Sequence, residues 1–241
     1  MNARNGGTSL NRRLAIAVTA LTVFLGALVP TRSLATSNTT AHTYGYVYLG
    51  TNSTVGAYNA STYLNSMGWQ ASYYNGSYVS SIFETAKTDG LVMIDYHGGP
   101  GRMVDSLGNY LCAQGCSGSS YNLSAYGTEL NDVDFFFFDG CQTAATHSTY
   151  GNLVDMAISK GAWSAMGFTS DIDGTSSTCN NQCLVYGNWW DDRFFYNSQF
   201  YVVSTAAIQT ASDYYAKYGR YGGFNNYSIK GSQVSLKRIS Q

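Results

Sequence analysis

The sequence predicts an α/β fold, a three-layer sandwich with a mostly parallel central sheet and helices on both faces. Three observations lead there. Apolar stretches of strand length alternate with stretches of helical periodicity over residues 44–218, the order that right-handed crossovers build into a parallel sheet. Two of the apolar stretches, Leu91-Val92-Met93-Ile94 and Phe135-Phe136-Phe137-Phe138, are continuous rather than alternating, as in strands covered on both faces. Finally, 44% of the 241 residues are hydrophobic and 11% charged, which supplies a core and excludes a disordered or collagen-like chain.

Taken in order, residues 36–43 read as a Ser/Thr/Asn-rich linker and 44–49 as a strand. A helix is expected over 57–67, a strand over 69–74, and a helix over 78–88 with Ile82, Phe83 and Ala86 on one face. The strand at 90–96 stops at His97-Gly98-Gly99-Pro100-Gly101, which does not continue a strand. Residues 102–111, broken by Ser106-Leu107-Gly108-Asn109, read as a hairpin. There follow a strand at 133–138, a helix at 151–160, a strand at 162–168, a long cysteine-bearing insertion and a helix at 204–218.

The first 35 residues read as a cleaved signal peptide. Arg4, Arg12 and Arg13 precede an uncharged run at 14–29, and Ser33-Leu34-Ala35 offers the small-x-small pattern of a cleavage site. The expectation is a secreted protein with no stable membrane span after cleavage. Its loss removes four arginines and no acids, leaving nine basic against 14 acidic groups, net −5. Nothing in that balance invites nucleic acid.

Five cysteines fit an oxidising compartment. Cys112 and Cys116 form one C-x3-C pair, Cys179 and Cys183 another, and Cys141 stands alone. Two disulfides are expected among the four, with three connectivities open.

Cys141 has a natural partner. The two central strands run into glycine-containing turns, one presenting His97 and the other Cys141, and reactive groups collect at the carboxyl ends of parallel strands. A histidine within reach turns a thiol into a nucleophilic thiolate. Gly98 leaves its amide unobstructed, so that it and the amide of Cys141 are candidate oxyanion donors. His42, in the expected linker, reads as solvated, and His147 has the poorer strand-end context. Asp95 and Asp139 each lie two residues before a proposed reactive group, on the same strand face; they read either as orienting acids or as acceptors for loop amides.

These residues resemble the caspase, gingipain, clostripain and CHAT-domain cysteine peptidases, whose members carry an apolar strand ending in His-Gly and, after a spacer, an apolar strand ending in a small residue and the catalytic Cys. The matching pieces are Leu91-Val92-Met93-Ile94-Asp95-Tyr96-His97-Gly98 and Phe135-Phe136-Phe137-Phe138-Asp139-Gly140-Cys141, with 44 positions between His97 and Cys141 against about 50 in caspases. Residues 161–168 are similar to the strand that follows the nucleophile helix, and residues 207–215 and 227–231 to the last helix and strand. The resemblance implies a caspase/gingipain-like peptidase domain over 44–241, acting on a protein or peptide substrate without a required cofactor. Asp139-Gly140-Cys141 replaces the caspase Gln-Ala-Cys, so caspase specificity is not implied.

Three rival readings remain. His97-Gly98-Gly99-Pro100-Gly101 also matches the oxyanion loop of α/β-hydrolases, but no G-x-S-x-G elbow accompanies it. A non-catalytic exported protein of the same fold could present Tyr214, Tyr215, Tyr218 and Tyr221 to glycans or cell-wall material. Metal binding is open: Asp171 and Asp173, and Asp191 and Asp192, offer carboxylates for Ca2+ without EF-hand spacing.

Overall fold

In a computed structural model of the chain, which describes residues 38–48, 51–76, 79–118, 121–173 and 182–238, the first strand starts earlier than the sequence predicts. The expected leader and Cys179 lie outside the described residues. Strand β1 (Thr40–Gly45) occupies most of the expected linker. Two of its polar side chains are tolerated in the strand because they have partners: the Thr43 hydroxyl donates to the carbonyl of Ala57 at 2.7 Å. His42, far from being solvated, sits 2.8 Å from buried Asp89.

A short hairpin of β2 (Val47–Tyr48) and β3 (Thr51–Asn52) leads into helix α1 (Thr54–Ser66) and strand β4 (Gln70–Asn75). Helix α2 (Val79–Thr85), prolonged by a 3-10 turn at Ala86–Thr88, crosses to β5 (Leu91–Asp95). The chain then makes a side sheet from β6 (His97–Gly99), β7 (Arg102–Val104), β8 (Tyr110–Cys112) and β9 (Tyr121–Asn122). The hairpin expected at 102–111 is there as β7 and β8. The glycine segment does not end pairing, as expected, but transfers it to this second sheet. Strand β10 (Phe135–Asp139), helix α3 (Leu153–Ser159) and strand β11 (Ser164–Phe168) follow. Helices α4 (Gln182–Ser198) and α5 (Val203–Tyr218) precede the last strand, β12 (Tyr227–Gly231).

The central sheet has the order β12-β11-β10-β5-β1-β4. Five strands are parallel and β12 closes one edge antiparallel to β11. Strand alternation divides the core in two. Met93, Phe135 and Phe137 pack with Leu64 of α1, Trp190 and Phe194 of α4 and Ala207 and Tyr214 of α5. Val92, Ile94, Phe136 and Phe138 face Ile82 of α2 and Leu153, Val154 and Ala157 of α3. All four phenylalanines of β10 are fully buried, each contributing about 1.5–3 kcal/mol relative to exposure. The result is the expected three-layer α/β sandwich. Among the described residues no helix is long and apolar enough to cross a membrane.

Candidate active site

Strands β5 and β10 are neighbours in register, with Asp95 opposite Asp139. Two residues beyond that pair the chains reach His97 and Cys141, so a separation of 44 positions in sequence becomes adjacency at the carboxyl rim. The turns touch through their backbones: a Cβ placed on Gly98 would lie 2.4 Å from the Cys141 carbonyl oxygen and 2.9 Å from its amide nitrogen. A Cβ on Gly140 would meet the Tyr96 carbonyl at 2.5 Å. Glycine is therefore a steric requirement on both sides of the contact.

Both candidate residues are held by groups that sequence reasoning did not single out. The amide of His97 donates to the Tyr46 hydroxyl at 3.2 Å, which in turn donates to the Val104 carbonyl at 3.0 Å. The two rings meet at 82° with centroids 6.1 Å apart. Cys141 is half-buried and outside any disulfide. Its Sγ accepts the Ile172 amide at 3.4 Å and lies 3.8 Å from the Ile172 carbonyl. The sulfur is thus held between the amide and the carbonyl of one residue, Ile172. Directly after Cys141 the chain turns through a left-handed Gln142, φ 57°, fixed by its amide on Ser170 at 3.0 Å and its side chain on Asp171 at 2.7 Å. Thr143 then ties β10 to β11, donating to the Phe138 carbonyl and accepting from the Phe168 amide.

Beneath the two turns lies a cluster of carboxyls. Asp95, Asp139 and Asp191 each offer an oxygen, all within 4.8 Å of one another. Asp139 and Asp191 are buried, while Asp95 keeps some exposure. Burial, then the charge of Asp139, pushes Asp95 well above the ordinary carboxylate range. Asp191 is raised well above it by burial and by the charge of both neighbours. Burial lifts Asp139 to about 6, although a hydrogen bond with Asp191 pulls it down. Asp95 and Asp139, the two acids singled out in the sequence, thus meet one another and Asp191.

The third carboxylate was legible only as one of the acids at 191–192, because α4 falls inside what the sequence presents as an insertion. The signal was there: Tyr186, Trp190 and Phe194 recur at helical spacing. Of the other expected ligands, Asp192 contacts Asn59 at 3.3 Å. Asp173 pairs with Arg220 at 2.7 Å and accepts from Tyr214 at 3.0 Å. His147 turns its Nδ1 toward the amides of Thr149 and Tyr150, at 3.1 and 3.2 Å. Cys112 and Cys116 form a disulfide with each other; Cys179 lies outside the described residues, as does the side chain of Cys183.

Comparison with solved structures finds this architecture elsewhere. Caspase-1 from Spodoptera frugiperda superposes with a TM-score of 0.55 over 88% of this chain and 96% of its own, at 12% identity. Separase of Saccharomyces cerevisiae, in two structures of the separase–securin complex, superposes with TM-scores of 0.50 and 0.52 over 91% of this chain at 14% identity. This chain spans only 14% and 13% of those separase chains. No family profile matches the chain, and neither does any curated protein sequence. At the level of fold, the protein is caspase-like, the architecture of a group of cysteine peptidases.

Proposed function

We propose that the protein is a secreted cysteine endopeptidase using Cys141 and His97. The observation that carries this reading is the backbone contact between the two turns at the paired ends of β5 and β10. His97 takes the thiol proton, and the Cys141 sulfur attacks the scissile carbonyl carbon. The oxyanion that forms is stabilised by the amides of Gly98 and Cys141. Collapse of the tetrahedral intermediate breaks the C–N bond as His97 returns the proton to the leaving amine. Water, deprotonated by His97, then cleaves the thioester and regenerates the thiol. The caspase-like fold supports this chemistry over the α/β-hydrolase alternative, and the commitment of His147 to its own loop leaves His97 the better base.

Incubation with a random peptide library tests the reading. The wild-type protein is expected to generate new amino termini, and Cys141→Ala or His97→Ala to slow this at least ~100-fold. Iodoacetamide should alkylate Cys141 faster in the folded protein than in the unfolded chain at the same pH, an advantage lost in His97→Ala. Cleavage that persists in Cys141→Ala refutes the assignment. Export is tested separately: the amino terminus of protein recovered from medium is expected to follow Ala35.

A further inference from the structure

We propose that Arg102 is a subsite for a carboxylate on the leaving side of the scissile bond, so that the protein cuts ahead of an acidic residue or close to a substrate's carboxyl terminus. The inference rests on the Cys141–His97 reading above. Strands β6 and β7 pair Arg102 with Gly99, two residues beyond His97, which sets the side chains of Arg102 and His97 on one face of the side sheet. A Cβ on Gly99 would have Arg102 Nε as its nearest neighbour, at 3.9 Å. The guanidinium carbon lies 4.9 Å from the centre of the Tyr110 ring and 4.6 Å from that of Tyr150. Among the described residues no carboxylate pairs with it. Arg193, Arg220 and Arg238 each face one, at 2.6, 2.7 and 3.3 Å.

The side of the cut follows from the chemistry. Cys141 keeps the acyl half of the substrate while His97 hands its proton to the departing amine, so the residues after the cut lie on the side of His97. In the order β11-β10-β5, the Cys141 sulfur is held from the segment after β11, by Ile172, and the side sheet carrying Arg102 continues from β5 through His97. The arginine is also set in place before any substrate arrives. A Cβ on Gly101 would meet the Gly151 carbonyl at 2.4 Å, so the turn between β6 and β7 presses on the loop that carries Tyr150. That loop is closed by paired backbone bonds between His147 and Gly151, at 2.8 and 2.9 Å, and the Tyr150 ring stacks on His147 with centroids 4.5 Å apart. A guanidinium stacked on rings keeps its in-plane N–H groups for a planar acceptor, and a carboxylate takes two of them at once. Holding the side chain beforehand reduces the entropy lost on binding.

The residues found after each cut in the random peptide library read this subsite. Two forms of the library are digested, one with free and one with amidated carboxyl termini. Enrichment of Asp and Glu by at least ~5-fold in the first few positions after the cut, equal in both forms, is expected if side chains are read. Cuts gathered near the free terminus and lost on amidation identify the terminal carboxylate as the group read. Arg102→Gln should lower the ratio of kcat/KM for an acidic peptide over its amide-matched counterpart about tenfold, chiefly through KM. Arg102→Glu should replace the preference with one for Lys or Arg, a gain that a misfolded protein cannot show. Arg193→Gln, which removes another guanidinium lying on a tyrosine ring, should retain the wild-type preference. Cys141-dependent cleavage without a carboxylate preference, or with one unchanged in Arg102→Gln, overturns this inference alone. Absence of Cys141-dependent cleavage by the wild type overturns the peptidase reading and this inference with it.

Discussion

Gly98 and Gly99 are adjacent, yet the contacts around them demand glycine at only one. A methyl group on Gly98 collides with the backbone of Cys141, at 2.4 Å from its oxygen, whereas one on Gly99 would find its nearest neighbour, Arg102 Nε, at 3.9 Å. Backbone cannot swing aside as a side-chain end can, so the turn itself must shift. Gly98→Ala is expected to cost about 1–3 kcal/mol in urea denaturation and to lower peptidase turnover by displacing Cys141. Gly99→Ala should leave both within error. Equal effects of the two substitutions would mean that the turns are not locked together as described.

At the scale of elements, α4 and α5 are fastened by a polar cluster around Asp213. Burial works against its charge, but hydrogen bonds from Arg193 at 2.6 Å, Gln209 at 2.8 Å and Asn197 at 3.4 Å, with the Arg193 charge, hold its pKa below the ordinary carboxylate value. Because the folded pKa lies below the unfolded one, about 3.9, the stabilisation is present above pH ~4 and disappears as pH falls through the lowered value. The pair is partly exposed, which limits its worth to about 1 kcal/mol. Asp213→Asn should therefore be less stable than wild type at pH 7, with the gap closing as pH falls below the ordinary carboxylate range; a gap independent of pH contradicts the assignment.

Legibility in the sequence also varied by element. β5 and β10 could be read because a strand buried on both faces has to be continuously apolar, and their ends gave His97 and Cys141. β1 could not, because Thr43 and His42 are satisfied by distant partners, Ala57 and Asp89, that local composition does not reveal. The same holds for Asp191: its meeting with Asp95 and Asp139 depends on how α4 crosses the sheet, and no spacing rule carries that information. Tyr46, which meets His97 through its hydroxyl and ring, and Ile172, which meets Cys141 through its backbone, left no sequence signal at all.

At the scale of the whole molecule, the described residues rest on two apolar layers more than on the Cys112–Cys116 bridge. The Cys112–Cys116 bridge spans a sequence separation of 4, and closing so short a loop removes only about 2 kcal/mol worth of chain entropy from the unfolded state. Cys112→Ser/Cys116→Ser protein is expected to remain folded and cooperative in urea, less stable by about that amount. Complete unfolding of this variant would show that the side sheet depends on the bridge far more than the loop length allows.

The register that seats Asp95 opposite Asp139 also frees the intervening polypeptide. The tip of its second hairpin, between β7 and β8, projects Leu107 at 66% exposure, and a Cβ on the neighbouring Gly108 would meet nothing within 4 Å. Segments inserted at that tip would lengthen the excursion without altering where it departs or returns. The hairpin is thus a port at which new recognition loops can be grafted above unchanged machinery.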